Sequence, residues 1–181
     1  MALVPADCAT NLTTMYVGLA GLQESGEINP LNEDWTFNSS GADFAAEFAT
    51  FYNDYATQGE VLGATNTGGD PALLEAVMKA PTTPQALGKA FADFWALVAL
   101  TPGPPMHGGI SPISVTNDAA SKVDLFVGAV LASVTDQRSQ PYFLNLISNV
   151  ETMAVKSIVW TVTELMPGVP PFPMVFPEAI A

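Results

Sequence analysis

Two aromatic stripes constrain this chain more than any other feature in it. Phe44, Phe48, Phe51, Tyr52 and Tyr55 recur at i, i+4, i+7, i+8 and i+11, and Leu87, Phe91, Phe94, Trp95 and Val98 repeat that spacing. A spacing near the helical period puts each set on one wide face of an α-helix. Faces of this kind usually form a core. They can also line a pigment or cofactor pocket, which is the first alternative to carry forward.

Start and stop signals surround the stripes. Asp70-Pro71 and Thr83-Pro84 each place a capping side chain before a proline at the first helical position. The first pair predicts a short helix to about Lys79, and the second predicts the helix carrying the Leu87–Val98 stripe. Ser40-Gly41-Ala42-Asp43 resembles a capping box ahead of the Phe44 stripe. Ala6 to Glu24 reads as an earlier helix weakened by Gly18 and Gly21. Asn29 to Ser40 reads as a polar connection holding Trp35 and Phe37. Thr101 to Pro112, dense in proline and glycine, stops the fourth helix.

Asn117 then caps a predicted fifth helix with the stripe Val123, Val127, Val130, Leu131 and Val134. Pro141 opens a sixth through Phe143, Ile147, Val150 and Ala154. Residues 157–163 are rich in β-branched side chains and suit a strand, but no turn signal separates them from the sixth helix, so helix is favoured. As a strand, their one candidate partner is Ile110 to Thr116. From Met166 the prolines forbid helix and favour an extended arm. The expected architecture is all-α: five or six helices in one domain over residues 1–165, with an extended proline-rich arm over 166–181.

Composition bears on function. Hydrophobic residues make up 49% of the 181 and charged residues 13%, about half the usual share, which excludes disorder for the body of the chain. The 18 acidic against 5 basic residues give a net charge of −13. Lys79, Lys89, Lys122, Lys156 and Arg138 are scattered singly, whereas phosphate recognition needs clustered cations; nucleic-acid binding is not expected. Cys8 has no partner for an internal disulfide. Leu-Val-Pro-Ala-Asp-Cys faintly resembles a lipoprotein cleavage site, but seven residues, none basic, precede Cys8. The longest apolar run, Val123 to Val134, falls short of the ~20 residues of a membrane span. The expectation is a soluble chain with no membrane partner.

The search for reactive chemistry returns little. One Cys and one His, far apart, do not make a zinc site. His107, in Pro-Pro-Met-His-Gly-Gly, would have to be the base of any catalytic triad, and no nucleophile elbow accompanies it. Glu33-Asp34 is an adjacent carboxylate pair in a polar connection. The Gly63–Asp70 stretch is glycine-rich but lacks the Gly-Lys-Ser/Thr of a phosphate cradle, and Gly88-Lys89-Ala90 is mid-helix. Calcium through Asn66 and Asp70 lacks an ordered ligand ladder. The expectation is no catalytic residue, no cofactor and no metal. The arm carries apolar side chains instead, and Phe172, Met174, Val175, Phe176 and Ile180 are expected to lie against protein, its own or a neighbour's.

From Phe91 to Pro167 the chain resembles small virion structural proteins of tailed bacteriophages. The resemblance is carried by Phe94-Trp95, by Thr101-Pro102-Gly103-Pro104-Pro105-Met106-His107-Gly108-Gly109, by Val115-Thr116-Asn117-Asp118-Ala119-Ala120 and by Val159-Trp160-Thr161-Val162-Thr163-Glu164-Leu165. It covers about half of the chain as an overall pattern and brings no catalytic residues. It implies a capsid accessory, neck, tail or baseplate part, made in the host cytoplasm and placed in the virion. Its partners would be copies of itself, as a homo-oligomer, or other virion proteins in a hetero-assembly. Two alternatives stand beside it: a ligand- or pigment-binding helical module, and an enzyme using carboxylates and a divalent metal.

Overall fold

The computed structural model describes residues 3–20, 41–59, 64–79, 83–133 and 141–180. Their elements run α1 (Pro5–Ala20), α2 (Gly41–Ala56), β1 (Thr65–Asn66), α3 (Pro71–Met78), α4 (Pro84–Ala96), β2 (Leu100–Thr101), β3 (Ser111–Asn117), α5 (Val123–Ser133), α6 (Pro141–Asn149), β4 (Trp160–Met166) and β5 (Phe172–Glu178). The Asn29–Ser40 connection, Glu33-Asp34 and the Ser40 cap lie outside the described residues.

The proline-preceding caps work as their chemistry requires. Asp70 accepts from the Ala72 N–H at 3.0 Å, and Thr83 accepts from the Ala86 N–H at 3.1 Å. Each satisfies one amide that the first turn leaves free. The aromatic stripes meet in the core. Phe48, Tyr52, Phe91, Phe94 and Trp95 are fully buried. Tyr52 sits at their centre, its ring 4.9 Å from Phe91 and 5.3 Å from Phe94. Around this knot α1 packs on α2 and α6, α3 bridges α2 and α4, and α5 lies between α4 and α6. The α4–α5 crossing is close because a Cβ at Gly88 would fall 2.6 Å from the Val127 Cα.

The all-α expectation is overturned. A three-stranded antiparallel sheet, in order β3-β4-β5, closes one side of the helices, and β1 and β2 form a separate two-stranded ladder. The sixth helix does not continue through residues 157–163 as expected: a 3₁₀ turn ends at Ser157 and Trp160–Met166 are the central strand. Burial alternates along it, with Trp160, Val162 and Glu164 inside and the residues between them half-buried. That period-2 pattern belongs to a strand with one face on a core. Its partner β3 is the segment named above as the one candidate. The register sets Val115 against Val162 and Asn117 against Trp160, with an irregularity between Pro112 and Ser114.

The helix before β4 ends without glycine or proline. It loosens into a π-turn over Val150–Ala154 and a 3₁₀ turn over Val155–Ser157. The Ser157 hydroxyl donates to the Ala154 carbonyl at 2.6 Å, and Ile158 turns to extended backbone. Side-chain capping of this kind offers the chain an exit that a search for glycine and proline misses.

The arm is extended and folds back on its own chain as β5. Glu178 lies opposite Trp160, Phe176 opposite Val162 and Met174 opposite Glu164. Pro173 and Pro177 are compatible with a strand here because β5 is an edge, where a missing N–H faces away from the ladder. The fifth helix also differs from expectation. Its buried residues are Phe126, Ala129, Val130 and Ser133, whereas Leu131 is exposed and Val134 lies outside the described residues.

Candidate functional site

The most concentrated polar chemistry among the described residues lies where the proline-rich loop 102–109 covers the sheet. Strand period places Trp160, Val162 and Glu164 on the inner face of β4, so Glu164 is driven inside with its apolar neighbours and is 1% exposed. An ionised carboxylate there needs donors. The loop supplies them: the backbone N–H groups of Met106, His107 and Gly109 donate to it at 2.7, 3.1 and 3.1 Å. Gly109 is required, since a Cβ there would stand 2.7 Å from Glu164 Oε2. Burial raises the Glu164 pKa, but the donors from Met106, His107 and Gly109 outweigh it and hold the carboxyl below its ordinary value.

His107 joins three elements. Its Nδ1 lies 3.1 Å from Glu164 Oε1 on β4, and its Nε2 lies 2.8 Å from Glu178 Oε1 on β5. Its ring stacks on Phe176 of the same strand, centroids 3.9 Å apart and planes 7° off parallel. The two carboxylates approach opposite ring nitrogens, so they do not converge on one point where a cation would sit. Among the described residues no group of three or more His, Cys, Asp or Glu side chains could hold a metal ion. The space beside Glu164, lined by Pro102, Pro104, Met106 and Pro112, is about 10 Å³, room for one water. This is a joint between loop, β4 and β5.

A second buried polar group lies under α2. Tyr55 donates to Glu151 Oε2 at 3.0 Å, and Lys156 reaches Glu151 Oε1 at 2.8 Å from the surface. Trp95 donates to the Tyr52 hydroxyl at 2.9 Å. Burial raises the pKa of both tyrosines and pushes the Cys8 thiol up to about 12, where the nucleophilic thiolate is scarce.

The residues singled out in the sequence fall as follows. Phe172, Met174 and Val175 are 50%, 46% and 59% exposed. Phe176 is taken up by His107, and Ile180 is buried with its Cδ1 where a Cβ of Gly59 would stand. Asn66 does not face a ligand: its amide donates to the Ala56 carbonyl and its carbonyl accepts from the Gly68 N–H. Asp70 is occupied as the α3 cap. Glu164 and Glu178 are not among the candidate site residues that the sequence pattern marks. The available signal was parity: reading residues 160–166 as a strand would have put Glu164 on the inner face, in need of a donor. No family model, curated protein or solved structure matches the chain.

Proposed function

We infer that this chain is a structural component of a tailed-bacteriophage virion, working through fixed contacts with copies of itself or neighbouring virion proteins. The observation that carries this reading is the apolar end of the sheet. The register puts Phe172 and Met174 on the same face as Met166, and Met106, hydrogen-bonded to Glu164, stands exposed at that end. Val175 is exposed on the opposite face of β5. Large apolar side chains exposed at one end of the sheet, on both of its faces, on a chain with so few charges suit a surface that is covered in its working state. The fifth helix adds weight: it is apolar on all sides, a composition normal for a buried helix, yet Leu125 and Leu131 are exposed.

The joint described above supports the same reading. The Glu164 carboxylate is surrounded by three backbone donors and His107, so it serves to position the loop and, through His107, β5. The contact surface expected over the arm narrows to Phe172, Met174 and Val175, because Phe176 and Ile180 hold the arm to its own body. Quantitative mass spectrometry of purified particles from the genome that encodes the chain tests the proposal. A fixed ratio of this chain to the major capsid protein is expected. Particles that lack it would refute the reading.

A further inference from the structure

The strap formed by residues 172–180 pairs with β4 from Phe172 to Glu178 and ends on buried Ile180, and most of its side chains add little to that hold. Four consecutive β5 residues, Phe172 to Val175, together with Val169 in the preceding turn, are exposed, so apolar burial contributes little there. What remains is the β4 ladder, Phe176 on the His107 ring, Ile180 beside Gly59, and the pairing of Glu178 with His107.

The valence of the imidazole decides how that pairing behaves. A ring with two protons donates from both nitrogens, whereas a neutral ring has one N–H and one lone pair. With carboxylate oxygens at both nitrogens, a neutral ring must set its lone pair against one of them. The two carboxylates differ in how they can respond. Glu164 is enclosed and keeps three backbone donors, so it stays in place and retains the remaining ring proton. Glu178 has a side chain 23% exposed and can turn to water.

The geometry points to a proton-gated strap: the doubly protonated His107 ring latches residues 172–180 to the body, and loss of one proton frees the Glu178 end. Among the described residues, the titratable groups facing the ring are Glu164 from β4 and Glu178 from β5; the loop over residues 102–110 and strand β3 contribute none besides His107 itself. The sign follows from these charges. The latch closes while the ring is cationic and both carboxylates are ionised. It loosens when the ring gives up one of its two protons, because one carboxylate then faces a lone pair instead of an N–H. This inference stands whether or not the chain belongs to a virion.

The test uses the full chain with a nitroxide on Ala179→Cys, an exposed position, while buried Cys8 stays unlabelled. Electron paramagnetic resonance line shapes are recorded from about pH 6 to about pH 8.5, across the range in which histidine changes charge. The mobile fraction should rise roughly threefold or more over that interval. In Glu178→Gln, which leaves the Glu164 contacts intact, the label should be mobile throughout, with no step. A wild-type line shape unchanged across the range overturns the latch by itself. So does a step in Glu178→Gln equal to that of the wild type.

Discussion

The indole N–H of Trp95 donates to the hydroxyl of Tyr52 across 2.9 Å, joining the two aromatic stripes at the centre of the core. Both side chains are fully buried, so neither group has water as a substitute. Tyr52→Phe should therefore destabilise by about 1–3 kcal/mol, the cost of a buried donor left unpaired. Urea unfolding of the two proteins checks this. Equal midpoints would mean that the bond contributes nothing.

Two glycines in helices should respond in opposite directions to alanine. A Cβ at Gly88 would meet the Val127 Cα at 2.6 Å and its N at 2.7 Å, and backbone cannot swing aside. Gly88→Ala must push α4 and α5 apart, at about 1–3 kcal/mol, which exceeds the ~1 kcal/mol that alanine gains in helix propensity. At Gly128 the nearest atom is the Met153 Cε at 3.9 Å, an ordinary contact. Gly128→Ala should stabilise by roughly 0.5–1 kcal/mol. Thermal melts of the pair give the comparison, and the same sign for both would contradict the close crossing.

These cases also mark where the sequence was readable. Asp70-Pro71 and Thr83-Pro84 are local devices whose caps and prolines sit side by side, and α3 and α4 begin where they indicate. All five residues of the Leu87–Val98 stripe are buried, because a strong period on a capped helix has one inward direction. The fifth helix is apolar on every side, so its period gave no direction and the expected stripe was rotated away from Phe126 and Ala129. β4 is not legible locally, because a β-branched run becomes a strand only with partners. Those partners, Ser111–Asn117 and Phe172–Glu178, are distant in sequence or hidden in a proline-rich stretch. His107, Glu164 and Glu178 come from three elements, and only the sheet register brings them together.

Glu164 gives the fold a predictable acid limb. Its folded pKa is held below the ordinary 4.5, so it contributes stability that is complete above that value. The contribution is lost as pH falls through the lowered folded value. Glu164→Gln should unfold more easily near neutrality, since amide hydrogens then face the Met106, His107 and Gly109 donors. Between about pH 5 and about pH 3 its melting temperature should fall less steeply than the wild type's, because the titrating group is gone. Parallel slopes would show that the carboxylate is not held as described.

The far end of the strap depends on Ile180 and Gly59. Ile180 is buried, and a Cβ at Gly59 would come within 2.5 Å of its Cδ1. Ile180→Ala should cost about 2 kcal/mol, the low end for a buried aliphatic truncation, because the site lies near a chain end where neighbours can relax. Gly59→Ala should displace the same side chain. In both variants, amide hydrogen exchange should speed up at Met174 and Phe176, whose N–H groups face β4, while the α2 and α4 amides stay protected. Uniform acceleration across the protein would argue against a separately held strap.

The most direct test of the central claim is incorporation into particles of a chain carrying Phe172→Thr, Met174→Thr and Val175→Thr together. The three side chains are about half exposed, and threonine keeps the strand preference of β5, so the isolated variant should melt close to the wild type. If these side chains form the contact surface, the variant should be largely missing from purified particles while accumulating normally in the infected cell. Incorporation at the wild-type level would contradict the account.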